Sequence, residues 1–203
     1  MGRVYKSSRL SDLLFAEPDL ITVASRVGLH LGAGDASIAE VCRDRGVDAE
    51  FLTFIINGYL GEEREELPEG VRRADVVEYL RRTNDYYRES QLPNIERHFR
   101  ALMHISQGQE SNLSLMLSLF MEVKEELLQR MSDDDNAGYL FERLNDSERD
   151  AQIEDQLHDL AGFFIVHLKG EYDSNLCRAV VTAIKTLTKD FRHNRRLRDL
   201  MSR

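Results

Sequence analysis

Apolar residues recur at helical spacing along most of this chain. Val76, Leu80, Thr83 and Tyr87 form one stripe, and Ile95, Phe99 and Leu102 continue it beyond Pro93. Proline lacks the amide proton a helix interior needs, so Pro93 is expected to kink or split that helix. Leu115, Leu119, Val123, Leu127 and Met131 form a second stripe. Ile153, Leu157, Leu160, Phe164 and Leu168 form a third, and Leu176, Val180, Ile184, Leu187 and Phe191 a fourth. Helix breakers fall between them, at Gln107-Gly108-Gln109, across 133–138 and at Lys169-Gly170. No alternating strand pattern competes. The predicted fold is all-α, with an antiparallel four-helix bundle over 72–203.

Residues 1–61 read instead as a small module of short helices. Ser37-Ile38-Ala39-Glu40 is a capping box, in which the Ser37 hydroxyl and the Glu40 carboxylate each satisfy a backbone amide. Gly46 should end that helix and Asp48 should cap the next. Gly28, Gly32 and Gly34 mark a turn after an earlier helix at about 18–27. The run Gly61-Glu62-Glu63-Arg64-Glu65-Glu66-Leu67-Pro68-Glu69-Gly70 is polar and charged, and reads as a linker. The expected division is therefore a module at 1–61, a linker at 62–71 and a bundle at 72–203.

Composition narrows the class. The 203 residues are 42% hydrophobic and 31% charged, with three prolines and no tryptophan, which suits helical globular structure. Lys plus Arg is 27 and Asp plus Glu 36, a net charge of −9, which argues against a broad nucleic-acid footprint. Cys42 and Cys177 lie in different helices with no CxxC spacing, as expected of reduced buried thiols. The first 20 residues hold no apolar secretory core, and Lys6 occupies the position where a myristoylation motif needs Ser or Thr. The longest apolar run, Phe163-Phe164-Ile165-Val166, is far too short to cross a membrane. The expected setting is cytoplasmic, without membrane association.

Polar residues interrupt the inward stripes. Asn84 follows Leu80 by four, Arg130 follows Leu127 by three, and Asp134 follows Arg130 by four. Asp150 precedes Ile153 by three, Asp190 follows Leu187 by three, and Asn194 follows Asp190 by four. Each long helix thus turns polar groups toward the axis. Unpaired burial is costly, so these groups should meet each other or a ligand.

That arrangement resembles the hemerythrin-like (HHE) family. Leu80-Arg81-Arg82-Thr83-Asn84-Asp85-Tyr86-Tyr87-Arg88-Glu89-Ser90-Gln91-Leu92-Pro93 is similar to its first-helix motif, a histidine followed by aromatic and basic residues and Leu-Pro. Arg130 to Asp134, with Tyr139-Leu140-Phe141 beyond, resembles the family's His-x-x-x-Glu and following aromatic. The segment from Asp150 to Leu157 resembles its third-helix motif. Leu187-Thr188-Lys189-Asp190-Phe191-Arg192-His193-Asn194 resembles the last one. Residues 28–42 resemble the small domain preceding the bundle in the repair-of-iron-centres branch, although Leu31-Gly32-Ala33-Gly34 lacks that domain's paired cysteines.

The resemblance implies a non-haem di-iron centre held by histidines and glutamates. Here the matching positions are Asn84 (or Asp85, one residue along), Arg130, Asp134, Asp150, Asp190 and Asn194, and none is histidine. Imidazole is a strong neutral donor to iron, and a permanently protonated guanidinium at Arg130 opposes a metal cation. The expectation is a lost metal site and no cofactor, with Arg130 as an internal cation among Asp134, Asp150 and Asp190. Three acids against one arginine leave surplus negative charge, which a protonated carboxyl or a weakly bound hard cation such as Mg²⁺, Mn²⁺ or Ca²⁺ could relieve.

Other features carry less. His30, His98, His104, His158, His167 and His193 lack spacing that puts two on one helical face, and His193 is expected to point away from Asn194's face. Residues 38–57 fit a helix-turn-helix through Val41, Cys42, Gly46, Val47, Leu52 and Ile55, but the would-be recognition helix at 49–57 has no Lys or Arg for phosphate or base contacts. The basic end beyond Arg192 reads as a solvated helix terminus matching the helix dipole. Asp133-Asp134-Asp135 lacks EF-hand spacing, and no hydrolase elbow, phosphate loop, dinucleotide fingerprint or HExxH occurs. The functional expectation is a non-catalytic interaction or regulatory protein with a protein partner. The alternatives are a di-iron protein of iron-centre repair or of oxygen or nitric-oxide response, and a DNA-binding regulator.

Overall fold

The structure is a computed structural model that describes residues 2–106, 110–141, 147–168 and 171–202. The described residues are all-α, with helices and turns and a single isolated bridge between Arg9 and Ser37. The expected breaker at 107–109 and that at 169–170 lie outside them. The chain divides into two compact units, Met1–Thr83 and Asn84–Arg203.

In the first unit, α1 (Leu10–Ala16), α2 (Leu20–Arg26), α3 (Ile38–Arg45) and α4 (Ala49–Tyr59) are short because caps and glycines punctuate them. The Glu40 amide donates to Ser37 Oγ, and Glu40 Oε2 accepts from the Ser37 amide at 2.8 Å, the capping box in full. Gly46 closes α3 at φ 67°, where a side chain would be strained, and Asp48 Oδ1 accepts from the amides of Glu50 and Phe51. Helix α4 packs on α2 and α3 and has no exposed residue. Asn57, inside α4, ties down the start of the chain: its Oδ1 accepts from the Val4 amide at 2.8 Å, and its Nδ2 donates to the Val4 carbonyl at 2.9 Å.

The border between units differs from the expected linker at 62–71. Helix α5 (Arg73–Tyr86) begins inside the first unit, where Val76, Tyr79, Leu80 and Thr83 are buried. Tyr79 meets Phe51 edge-on, and the Arg26 guanidinium lies 5.1 Å from the Tyr79 ring and donates to Thr83 Oγ1 at 3.1 Å. The charged run is a loop of this unit, anchored by buried Val71. Its polarity reports solvent exposure, which a covering loop and a linker share.

The second unit holds the end of α5, a π-helical turn (Tyr87–Gln91), α6 (Leu92–Ile105), α7 (Glu110–Asn136), α8 (Ser147–His167) and α9 (Ser174–Met201). Helix α6 packs on α7 and α9, and α8 packs on the same two, so the four contacts form a closed ring. Phe99 is central, 5.4 Å from the Phe120 ring and 5.2 Å from that of Phe164. The π turn is the expected break at Pro93. The Leu92 amide reaches back five residues to the Tyr87 carbonyl, which places Pro93 in the first turn of α6.

The start of the α7 stripe needs correction. Leu115 is exposed and Leu119 half-buried, whereas Leu113, Met116 and Phe120 are buried. A strict four-residue repeat drifts by about 40° per step, so a stripe correct at Leu127 leaves the core two turns earlier. Both cysteines are free. Burial pushes the Cys42 thiol up to about 11, while Cys177 is half-buried and raised for the same reason.

Two outcomes test the first unit. Asn57→Ala leaves two buried backbone groups of Val4 unpaired and should cost about 2–4 kcal/mol in urea unfolding. Glu78, bonded by Arg81 and Arg82, is held at about 2 against an ordinary 4.5. Its contribution is complete above pH 4.5 and fades as pH falls toward 2. Glu78→Gln should therefore flatten the acid limb of a stability–pH curve, modestly because the group is partly exposed.

Candidate functional site

A helix presents a new direction every 100°, and α7 uses this at three successive aspartates. Asp133 pairs with Arg149 at 2.7 Å, Asp135 pairs with Arg88, and Asp134 alone turns fully inward. Arg130 lies one turn before Asp134 on the same inner face and is 2% exposed. Its Nη1 donates to Asp134 Oδ1 at 2.5 Å, and its Nε donates to Asp150 Oδ1, in the first turn of α8, at 2.8 Å.

Asp134 is the hub. Its Oδ2 accepts from Asn84 Nδ2 at 3.0 Å and from Arg198 Nη2 at 3.0 Å. Arg198 Nη1 lies 4.0 Å from Asp150 Oδ2, a charge contact without a hydrogen bond, so the second guanidinium bonds Asp134 and stands beside Asp150. Asn84 Nδ2 also donates to the Tyr139 hydroxyl at 3.2 Å, and that hydroxyl donates to Asp135 Oδ1 at 2.8 Å. Tyr139 holds this position with φ at 58°, in the left-handed region. A second branch runs through the π turn, where Asn194 Nδ2 donates to the Tyr87 hydroxyl at 2.8 Å and that hydroxyl donates to Asp190 Oδ2 at 3.0 Å.

Electrostatics fixes the charge state of Arg130. Burial alone would lower the pKa of Arg130, but the charges of Asp134 and Asp150 and their hydrogen bonds more than reverse this. The guanidinium stays protonated, above its ordinary range. Burial and the bond to Asp135 raise the Tyr139 phenol, which stays neutral.

Of the residues singled out from the sequence, Asn84, Arg130, Asp134, Asp150, Asp190 and Asn194 are all buried in this unit. Asp85 is corrected: it is half-buried, 3.7 Å from Arg88 in an i,i+3 pair, so Asn84 is the inward register. His193 is buried, contrary to its expected outward direction, because the inner face of α9 is wide enough to take two adjacent residues. The basic end is also corrected. Arg198 is 5% exposed and lies 5.8 Å from the Phe191 ring, while Arg192 and Arg195 clasp Glu154. The helical series Asp190, Asn194, Arg198 carried the signal for Arg198, since four-residue steps extend the inward face by one turn. Tyr87 and Tyr139 were legible only as apolar or aromatic positions.

Asp134 and Asp150 face two guanidiniums, so Arg198 joins Arg130 as a second internal cation, while Asp190 accepts from the Tyr87 hydroxyl. No group of three or more His, Cys, Asp or Glu side chains able to hold a metal ion occurs among the described residues. No helix of the described residues is long and apolar enough to cross a membrane. No protein-family model, curated protein or solved structure matches the chain.

Removing one partner of a buried ion pair strands the other. Arg130→Met should destabilise the second unit by about 3–5 kcal/mol. Adding Asp150→Leu should recover most of that loss, and a double-mutant cycle by denaturant unfolding measures the coupling.

Proposed function

We propose that this chain is a hemerythrin-like four-helix bundle protein in which a guanidinium–carboxylate network stands where relatives would hold di-iron, and that it acts without catalysis by engaging a protein partner. The observation that carries the reading is the shared clasp of Asp134 and Asp150 by Arg130 and Arg198. It unites inward polar positions of α7, α8 and α9.

The donor set does not fit a di-iron centre. Two fixed positive charges occupy the carboxylates that would bridge metal, and Asn84 and Asn194 offer amides where imidazole would be needed. Their Nδ2 groups donate to Asp134 and Tyr139 and to Tyr87, while Asn194 Oδ1, a weaker donor to iron than imidazole, is buried with no hydrogen-bond partner among the described residues. No redox or hydrolytic step is therefore assigned to the site. What the network offers is specification, because a buried polar cluster penalises any helix register that unpairs it. A rigid bundle of this kind suits a scaffold or regulator, and a partner of a working di-iron relative is the role closest to the resemblance.

Protein purified without chelator should contain far less than one iron per chain by elemental analysis, and iron loading should give no oxo-bridged di-iron absorption. Stoichiometric iron with such bands would replace this reading with a metal-dependent one.

A further inference from the structure

We propose that the outer face of α8 is the docking surface for a second copy of this chain, with two α8 helices packed antiparallel about a two-fold axis at Phe163.

Helix α8 is apolar on all sides near its end. Leu160, Ala161 and Phe164 face the core, while Phe163, Ile165 and Val166 are 37%, 72% and 65% exposed. A helix that is apolar all round belongs in an interior, and among the described residues only one side of this one is covered. Gly162 lies among these residues inside the helix, with no atom within 4 Å of where its Cβ would be. A glycine there weakens the helix by about 1 kcal/mol relative to alanine, and nothing among the described residues requires it. It allows another helix backbone to approach closely beside Val166, one turn along the same side.

A carboxylate and an imidazole, which can accept and donate one hydrogen bond, identify the occupant. Asp159 and His167 are both exposed, and they stand four residues before and four after Phe163 on the same i±4 ridge. An isologous pair with its dyad at Phe163 sets Asp159 of each copy against His167 of the other, twice over. The Phe163 and His167 rings already lie together at 5.2 Å, so ring and imidazole form one continuous surface. The pattern complements itself in the antiparallel sense, whereas a parallel pairing would oppose like residues.

The patch is small, so the dimer should dissociate with a constant on the order of micromolar. Sedimentation velocity of the full chain over a concentration series should show reversible monomer–dimer exchange. Phe163→Glu and Val166→Glu, both at exposed positions, should weaken it by about tenfold or more with unchanged helical circular dichroism. Asp159→Lys alone and His167→Glu alone should each weaken association, and the double variant should restore it. A wild-type chain that stays monomeric throughout, a dimer that survives Phe163→Glu, or a double variant no better than the singles would each overturn the proposal. In the first case the patch belongs to a different partner.

Discussion

Two guanidinium groups taken out of water govern the second unit. A buried charge is tolerable only where an opposite charge and further hydrogen bonds meet it, so Arg130 and Arg198 dictate where Asp134 and Asp150 must be. Those four residues lie on α7, α8 and α9, and Asn84 adds the end of α5. Longitudinal slippage of any one helix by a turn would leave a charge stranded. The aromatic contacts around Phe99 supply burial without such discrimination, since apolar side chains accept many arrangements. Adhesion and register thus come from different residues in the same unit.

A metal centre and an ion-pair cluster meet the same geometric demand in different ways. Both gather inward carboxylates from several helices. A metal draws its energy from coordination and depends on supply and on ligand protonation. Guanidiniums are carried by the chain itself and remain charged at any pH where the protein is folded. Their planar forks also divide between two carboxylates, as Arg130 does with Nη1 on Asp134 and Nε on Asp150. The resulting interior gathers its carboxylates around charges that the chain itself carries.

Much of this was readable beforehand, for a definite reason. Burial of a polar residue on an apolar stripe is a periodicity statement, and Asn84, Arg130, Asp134, Asp150, Asp190 and Asn194 obey it. The all-helical fold and the Ser37, Gly46 and Asp48 caps rest on local chemistry and are equally legible. Arg198 escaped because it stands among exposed basic residues near a helix end, where cations have an alternative explanation in the helix dipole. Leu115 and Leu119 misled because a repeat of four approximates 3.6 only over a turn or two. The border at Thr83 was hidden because one uninterrupted helix, α5, runs through it and composition does not change there.

The π turn at Tyr87–Gln91 has a consequence for how this sequence can be compared with others. Buried positions run 84, 87, 92, 95, 99 and 102, and the gap of five is the imprint of one residue more than α geometry requires. A relative with an unbroken α-helix here would be one residue shorter between Asn84 and Leu92. Any gapless alignment would then match either the upstream or the downstream half, rotating the other by about 100°. Asn84 and Asp85 are the two residues between which such an alignment would waver.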